Sequence, residues 1–410
     1  MTAIASVNVF ARWVRERLFA PSRPECRRVG VEVEMLPLLA DGTPCPLEAS
    51  GSADRSTLRF MREYGARRGW RERRSVKGAP YFALPTGWSL TFEPGGQVEL
   101  CTAATPLIGK LVAQIRCAVL DMRAAAWETG IDLTCLGIDP HNDDTAVPLQ
   151  IRSERYERMS RYFESIGRSG VRMMRQTAAT QVSLDGGTDP GTRWRLLADA
   201  APYLTAIFAN SPRYAGEDTG YVSFRQRCWR LLDPTRTGVP HQELAPSDGY
   251  TRFALCAVDM TRTTSAGEYR PFAEWVADGE WTRIQWENHL TTLFPEVRPR
   301  GHLEVRSIDA VPADVVATPV VLLAGLVYDE PTASEARSLL ASADDAILER
   351  AARCGLHAAD IARIASDLAE LGLRGARRLG EDVLGLDEVE RAEHFVREYT
   401  ARGLSPADTR

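Results

Sequence analysis

The stretch LTFEPGGQVEL, residues 90–100, places two carboxylates around a Pro-Gly-Gly break. Its second glutamate, Glu99, lies between Val98 and Leu100, which are strand-forming residues. A charge held among such residues costs free energy unless another group pairs with it. The stretch therefore predicts a strand on which Glu99, with Glu93 at the strand entry, faces a cation or a polar partner.

Three further segments, far apart in the chain, show the same alternation of apolar and polar residues: VGVEVEML (29–36), TQVSLD (180–185) and GHLEVRS (301–307). Successive side chains of a strand point to opposite faces of the sheet, so each segment has an apolar face and a polar face. An antiparallel sheet that is covered by helices on its apolar side suits this pattern. We therefore expect an α+β fold in which the polar face of the sheet forms a cleft.

The polar strand faces are rich in carboxylates, which belong to Glu32, Glu34, Glu99 and Glu304, with Glu93 nearby. Like charges crowded on one surface raise carboxylate pKa values unless cations lie between them. Hard oxygen ligands of this kind suit Mg²⁺ or Mn²⁺. For a single Glu-x-Glu pair, a solvated strand face is the more common interpretation. The glycines at 95 and 96 favour a site, because they let the backbone approach a ligand closely.

Arginines are concentrated in two downstream segments. Residues 209–238 contain Arg225 in the first turn of a helix predicted to start near Ser223, and residues 290–312 contain Arg298, Arg300 and Arg306. Guanidinium groups and helix N-termini both favour anions. Pairing with surface acids is the commoner fate of a single arginine, but arginines beside an acidic strand face suit a magnesium nucleotide and a carboxylate substrate. Neither a P-loop nor a Rossmann glycine motif occurs.

Composition limits the classes of partner. The chain has 410 residues, 44% of them hydrophobic and 26% charged, with a formal net charge of −5. These values are ordinary for a globular protein and give no general attraction to nucleic acid or to an anionic membrane. No apolar run approaches the length of a membrane span, and the N-terminus lacks the apolar core of a signal peptide. Eight cysteines without a C-x-x-C pair fit reduced thiols, so we expect a cytoplasmic protein.

The chain changes character near residue 310. Before it, alternating segments mix with helical stretches such as 107–130, which has a helical apolar period and a stop at Gly130. After it, apolar residues three and four apart predict helices alone. Since no low-complexity linker separates the two regions, we expect one domain over 1–410, with a core at 29–315 and a helical C-terminal layer at 316–410.

Six motifs, in this order, resemble the plant-type glutamate-cysteine ligases: GVEVEML, LTFEPGGQVEL, RMMRQTAATQVSLD, ANSP with GYVSFRQRCW, DPTRTG and HLTTLFPEVRPRGHLEVRSIDAVP. In detail the sequence is similar to the actinobacterial members of this family, which begin ergothioneine synthesis. The resemblance covers roughly residues 29–315 and continues more loosely into the tail that ends at GLSPAD. Six ordered motifs make chance convergence a poor explanation.

The resemblance implies an ATP-dependent ligase on a glutamine-synthetase-like antiparallel sheet. ATP would phosphorylate the γ-carboxylate of glutamate, and the amine of cysteine would attack the acyl phosphate. The partners would be these small molecules, with no nucleic acid and no membrane. The resemblance gives Mg²⁺ or Mn²⁺ to five glutamates: Glu32, Glu34, Glu93, Glu99 and Glu304.

The resemblance also implies a role for each of several other side chains. Arg306 and Arg300 would contact the transferring phosphate, and Arg225 would hold the α-carboxylate of glutamate. The rest of the glutamate pocket would be formed by Met174, Arg175, Thr177 and Gln181. We interpret His289 and His302 as hydrogen-bonded core residues, and Trp229 and Trp286 as core aromatics.

Two departures from the family pattern concern the amino acid that accepts the γ-glutamyl group. Many relatives have Ser-Gly after the EPGG strand, where this chain has CTAA (101–104), and residues 41–89 also differ. A ligase that joins glutamate to another small amino acid is therefore an alternative. A non-catalytic module that binds nucleotide or glutamate is a second alternative. Retention of the five glutamates, Arg225 and Arg306 argues against it, because a dead enzyme is expected to lose metal ligands.

Overall fold

An antiparallel sheet occupies the centre of the computed structural model, which describes residues 3–23, 25–49, 51, 55–75, 78–238, 240 and 243–409. The strands are β1 (Val29–Leu39), β2 (Arg71–Arg74), β3 (Pro80–Ala83), β4 (Ser89–Phe92), β5 (Val98–Cys101), β6 (Ile131–Thr134), β7 (Thr180–Leu184), β8 (Arg213–Tyr214), β9 (Glu217–Asp218), β10 (Val297–Pro299) and β11 (Leu303–Val305). Over the described residues, the sheet runs in the order β10-β11-β7-β1-β5-β4-β3-β2, with β6 also paired to β1. Strands β8 and β9 form a separate hairpin.

Helices make up most of the rest. They are α1 (Ala3–Arg17), α2 (Thr57–Ala66), α3 (Ile108–Glu128), α4 (Glu154–Ile166), α5 (Ser169–Gln176), α6 (Pro190–Ile207), α7 (Phe224–Leu232), α8 (Pro234–Thr237), α9 (Pro246–Cys256), α10 (Phe272–Ala277), α11 (Arg283–Leu290), α12 (Thr318–Tyr328), α13 (Glu330–Leu339), α14 (Asp345–Cys354), α15 (Ala359–Leu379), α16 (Glu381–Leu384) and α17 (Leu386–Glu398). The predicted helix at 107–130 is confirmed as α3, and Gly130 follows it with φ +80°.

The four alternating segments form adjacent strands of the sheet, because each offers an apolar face to the same core. Val31, Val33 and Val98 are at most 1% exposed, whereas Glu32 and Glu34 are partly exposed on the other face. Helix α6 packs against β10 and β11, and helix α12 packs against β1 and β7. The predicted α+β fold with an antiparallel sheet and a polar cleft face is confirmed.

Helix α12 packs against α13, α15 and α17. Its sequence, TPVVLLAGLVY, is apolar all round and every residue is buried, as expected for a helix enclosed on all sides. Its Gly325 lies against α15, where a Cβ atom would come within 1.9 Å of the Gly372 carbonyl oxygen. A Cβ atom on Gly375 would come within 2.2 Å of the Gly325 carbonyl oxygen, so both helices need glycine at their crossing. The division into a core at 29–315 and a layer at 316–410 stays a prediction.

Helix length and hydropathy also bear on membranes. Along the described parts of the chain, no helix combines the length and apolar character that crossing a bilayer requires.

Candidate active site

The carboxylates predicted from the strand pattern lie on neighbouring strands of one sheet face. Glu34 of β1 is directly opposite Glu99 of β5, and Glu32 of β1 is opposite Gln181 of β7. Glu304 of β11 lies one strand further, opposite Ser183 of β7. The register therefore brings carboxylates from three distant segments onto one surface.

Glu93 reaches the same surface from the turn between β4 and β5. Its backbone N–H donates to the Gln97 carbonyl oxygen at 2.9 Å, which closes the turn, and Gly96 has φ +88°. A Cβ atom on Gly95 would come within 2.0 Å of the Arg175 carbonyl oxygen, so this position needs glycine. The Gln97 side chain is buried and donates to the Thr177 carbonyl oxygen at 3.0 Å. The Pro-Gly-Gly break thus fixes the turn against the C-terminal end of α5.

Burial and mutual repulsion dominate the electrostatics of the acidic face. Burial, then the charges of Glu99 and Glu304, raises the pKa of Glu32 to about 8. Burial, then Glu99, raises the pKa of Glu34 to about 7. For Glu93 and Glu99 the pKa is also raised to about 7, again by burial first and a neighbouring carboxylate second. These four carboxylates therefore repel one another in a site that is largely shielded from water.

Glu304 is compensated in a different way. It is completely buried and accepts hydrogen bonds from Arg298 at 2.8 Å, from Arg300 at 3.2 Å and from Arg306. Although burial acts to raise it, the pKa of Glu304 is held well below its ordinary value by Arg298, then Arg306 and Arg300. The predicted arginine cluster at 290–312 is thus centred on this one carboxylate.

Gln181 links the arginine cluster to the acidic face. Its Oε1 accepts from Arg306 Nη1, and its Nε2 donates to Glu34 Oε1 at 2.7 Å. The other oxygen of Glu34 accepts from the Ala179 N–H at 2.8 Å. By contrast, the side-chain carboxylates of Glu32 and Glu93 accept no hydrogen bond from any residue that the structure describes. Among the described residues, no three acidic, histidine or cysteine side chains converge closely enough to hold one metal ion as they stand.

A cavity of about 270 Å³ opens over this surface. Its floor is formed by the sheet, and its walls are formed by α4, α5 and α7, together with the segment from Thr291 to Arg300. The cleft face is therefore partly covered by short helices, although the strand pattern predicted helices on the apolar face only. The predicted site residues that line the cavity are Glu32, Glu34, Glu93, Glu99, Met174, Thr177, Gln181, Arg300 and Arg306.

Three predicted residues do not line the cavity. Arg175 turns away from it, and its guanidinium donates to Ser160 Oγ and to Glu164 at 2.9 Å. Glu304 lies beneath its arginines. Arg225 is 2% exposed and lies behind the wall, where its Nη2 donates to the Arg306 carbonyl oxygen at 2.9 Å.

Asp309 holds Arg225 in place. The two side chains form a buried ion pair at 3.6 Å, and Asp309 also accepts from Ser211 Oγ at 2.6 Å and Ser223 Oγ at 2.9 Å. Ser223 is the N-cap of α7, so one carboxylate joins the segment that follows β11 to the start of the helix that carries Arg225. Two donors of Arg225, Nε and Nη1, have no hydrogen-bond partner within the described residues.

Replacing Asp309 with asparagine is expected to destabilise the fold by about 3–5 kcal/mol, because it leaves the buried charge of Arg225 uncompensated. Urea unfolding followed by circular dichroism measures the loss. The control is Asp248→Asn, which removes an exposed ion pair with Arg15 and should cost at most about 1 kcal/mol. Equal midpoints for the two variants would contradict a structural role for Asp309.

Three wall residues, all from α4, have no counterpart among the sequence predictions. Arg155, Tyr156 and Met159 of α4 line the cavity, and Arg155 Nη2 donates to the Thr291 carbonyl oxygen at 3.0 Å. The helical spacing of Arg155 and Met159 was a usable signal, since an arginine on the buried stripe of a helix needs a partner. Trp229 also lines the cavity, with the guanidinium groups of Arg225 and Arg306 at 5.4 and 5.1 Å from its ring.

Two of the four interpretations as core residues, those of Trp286 and His289, agree with the structure, whereas the His302 ring is partly exposed and has no hydrogen-bond partner among the described residues. Trp286 is 1% exposed in the core, and His289 is buried with its Nε2 on the Ala254 carbonyl oxygen at 2.8 Å. Trp229 was interpreted as a core aromatic and instead forms part of the cavity wall.

Comparison with known proteins gives consistent results. The family model described as glutamate-cysteine ligase family 2 matches residues 28–409. The chain is 36% identical over 294 residues to glutamate–cysteine ligase EgtA of Mycolicibacterium smegmatis, covering 67% of each chain. It is 34% identical over 348 residues to EgtA of Mycobacterium tuberculosis, covering 79% of this chain and 77% of that protein. The chloroplastic glutamate–cysteine ligase A of rice is 32% identical over 258 residues, 59% of this chain and 52% of its own.

Among solved structures, a bifunctional glutathione synthetase from Pasteurella multocida superposes with a TM-score of 0.48 at 12% identity, covering 100% of this chain and 51% of that one. A glutamate–cysteine ligase from Francisella tularensis in complex with AMP gives 0.45 at 12% identity, covering 93% and 86%. The family match spans nearly the whole sequence, including every strand of the carboxylate face. The chain belongs to glutamate-cysteine ligase family 2 and is therefore a ligase.

Proposed function

We propose that this chain joins the γ-carboxylate of glutamate to the amine of cysteine at the expense of ATP, through a γ-glutamyl phosphate, as in ergothioneine biosynthesis. The observation that carries the proposal is the sheet face on which Glu32, Glu34 and Glu99 lie beside the arginine cluster around Glu304. Such a surface can hold a triphosphate with its metal ion next to a carboxylate substrate. Family membership gives the reaction.

Mg²⁺ is the ion that these residues fit best, and Mn²⁺ is the substitute. The donors are all carboxylate oxygens, which suit Mg²⁺. Four of the five glutamates have raised pKa values, because burial and mutual repulsion oppose their negative charge. When bound, Mg²⁺ would neutralise the triphosphate and make its terminal phosphorus more electrophilic. Glu32 and Glu93 can rotate toward an ion, because no hydrogen bond from a described residue holds them. Glu304 fits less directly, because arginines already balance its charge.

The arginines would act on the transferring phosphoryl group. Arg306 and Arg300 line the cavity and carry donors that can contact phosphate oxygens. Phosphoryl transfer depends mainly on positioning and on charge stabilisation, which fixed guanidinium groups supply. Arg306 is the better positioned of the two, since its side chain is 11% exposed whereas that of Arg300 is 50% exposed.

Glutamate would lie against the wall formed by Met174 and Thr177. Gln181 would close this pocket from the sheet side. Nε and Nη1 of Arg225, which donate no hydrogen bond to a described residue, support a role in binding the α-carboxylate of glutamate. Because Arg225 lies behind the wall, this contact requires a small opening between Trp229 and Arg306. Arg175 is left out of the proposed pocket, because Ser160 and Glu164 bind its guanidinium.

The reaction is expected in the cytoplasm, where ATP and free amino acids are available. All eight cysteines of the chain are free thiols, in agreement with a reducing compartment. Cys101, the first residue of the altered CTAA segment, lies opposite Glu32 on the carboxylate face. The alternative function, ligation of glutamate to another small amino acid, is retained because of this residue.

Phosphate release measured with glutamate, ATP and Mg²⁺ tests the function. Cysteine is expected to give the highest kcat/KM in a panel with serine, alanine and 2-aminobutyrate, and omission of glutamate should abolish turnover. One methylene or one heteroatom in an apolar pocket is worth roughly 1–3 kcal/mol, so a preference of about 10-fold or more should be resolved. A clear preference for a non-thiol amino acid would establish the alternative ligase, and absence of turnover with every acceptor would establish the binding module.

A further inference from the structure

Arg155 lines the cavity, and its positive charge is not paired with a carboxylate of the described residues. Its one polar contact with the described residues is the hydrogen bond from Nη2 to the Thr291 carbonyl oxygen at 3.0 Å. Its Nε is buried without a hydrogen-bond partner. No carboxylate of the described residues forms an ion pair with it, although it is close enough to Glu93 to lower the pKa of that group. An arginine in this state is available to an anionic ligand.

The other cations of the site are already engaged. Arg298, Arg300 and Arg306 bind Glu304, and Arg225 is paired with Asp309. Within the proposed function, Arg300 and Arg306 serve the transferring phosphoryl group, Arg298 stays bound to Glu304, and Arg225 serves the α-carboxylate of glutamate. The α-carboxylate of the acceptor amino acid is the anionic group that remains without a partner. Arg155 lies on α4, on the wall that faces the carboxylates.

The surroundings of Arg155 suit a small, soft side chain. Met159, one helical turn further along α4, lines the same cavity, as do Met173 and Phe294. These residues belong to one apolar cluster, with Tyr156 packed against it. Thioether and aromatic groups make favourable contacts with sulfur and with small apolar groups, and they offer no partner to a second carboxylate. This wall therefore matches an acceptor such as cysteine better than it matches glutamate.

We propose that Arg155 binds the α-carboxylate of the acceptor amino acid, with Met159 and Phe294 forming the wall for its side chain. The proposal rests on the proposed function, since it names the acceptor subsite of the same cavity. The guanidinium would hold the carboxylate through Nε and the free donors of its terminal nitrogens. The acceptor amine would then point toward the carboxylate face, where the γ-glutamyl phosphate is formed.

The experiment compares wild type, Arg155→Gln and Arg155→Lys with two nucleophiles. Cysteine carries the α-carboxylate, and cysteamine is the same thiol amine without it. Arg155→Gln should raise the KM for cysteine about 10- to 100-fold, the effect of losing hydrogen bonds to a charged group, and leave the KM values for glutamate and ATP unchanged. The preference for cysteine over cysteamine should fall by a similar factor, and Arg155→Lys should lie between the two. Arg161→Gln is the matched control, because Arg161 is exposed on α4 and lines a different cavity.

Hydroxylamine separates this proposal from the proposed function. It traps the acyl phosphate as a hydroxamate and needs no carboxylate site, so wild type and Arg155→Gln should form hydroxamate equally well from glutamate and ATP. A higher KM for glutamate, or loss of hydroxamate formation in Arg155→Gln alone, would overturn the assignment of Arg155 to the acceptor. Absence of hydroxamate with wild type would overturn the ligase function itself, and with it this proposal. Circular dichroism of each variant verifies folding.

Discussion

Replacing Glu99 with glutamine is expected to lower kcat by about 100- to 1,000-fold, the size typical of removing one charge-stabilising group from an active site. Glu99 lies opposite Glu34, accepts a hydrogen bond from Thr91, and is surrounded by carboxylates. Glutamine keeps the shape and can still accept from Thr91, but it removes one negative charge from the set proposed to hold Mg²⁺. The magnesium concentration that gives half-maximal rate should therefore rise as kcat falls.

Stability provides an independent readout of the same variant. Because Glu99 is desolvated and repelled by Glu93, its neutral replacement should leave the unfolding midpoint unchanged or raise it. Thr91→Val is the control, since it removes the hydrogen bond and keeps the charge, and it should change kcat only a few-fold. A Glu99→Gln enzyme with wild-type rate and wild-type magnesium dependence would contradict a role for this carboxylate in metal binding.

Strand alternation allowed the central part of the fold to be predicted. The period-2 pattern of β1, β5, β7 and β11 determines which side chains share a face, and like patterns pair because their apolar faces require the same core. Glu32, Glu34, Glu99 and Glu304 therefore appeared as one surface before any pairing was known. The outer strand β2, with the sequence RERR, carries no such pattern and is exposed along its length. Its position depends on pairing with β3 and could not be predicted locally.

The cavity walls were harder to predict, because adjacent residues of a helix point in different directions and a motif does not show which of them faces the cavity. Met174 and Arg175 are neighbours in α5, but successive helical residues point about 100° apart. Met174 consequently lines the cavity, while Arg175 reaches Ser160 on α4. Helix α4 determines which of the two side chains faces the cavity, because it supplies the polar partners of Arg175. The strand and motif patterns did not predict that α4 lies over the cleft.

Arg225 illustrates a long-range effect on a local motif. The helix start at Ser223 was correctly predicted, and an arginine in that first turn was a reasonable anion-binding candidate. Its burial, however, depends on Asp309, which is 84 residues away in sequence and also binds the two serines. The start of the helix could be predicted from the local sequence, whereas the pairing of Arg225 with Asp309 could not.

Replacing Arg306 with lysine is expected to lower kcat by about 100-fold while the fold is retained. Arg306 Nη1 contacts both Gln181 and Glu304, and its Nε is buried without a partner among the described residues. The planar guanidinium can keep these contacts and present a donor to the transferring phosphate, whereas an ammonium group is a single point of charge. Lysine still balances the charge of Glu304, so the unfolding midpoint should change little.

The matched comparison is Arg300→Lys, at a residue that contacts the same carboxylate at 3.2 Å with a side chain that is 50% exposed. Solvent screening and mobility make that interaction weaker, so its kcat should fall less than about 10-fold. Single-turnover formation of the acyl phosphate, trapped with hydroxylamine, measures the phosphoryl-transfer step in both variants. A larger loss in Arg300→Lys than in Arg306→Lys would mean that the exposed arginine makes the main phosphate contact. Arg306 would then serve to hold Glu304 and Gln181 in place, and the roles assigned to the two arginines would be exchanged.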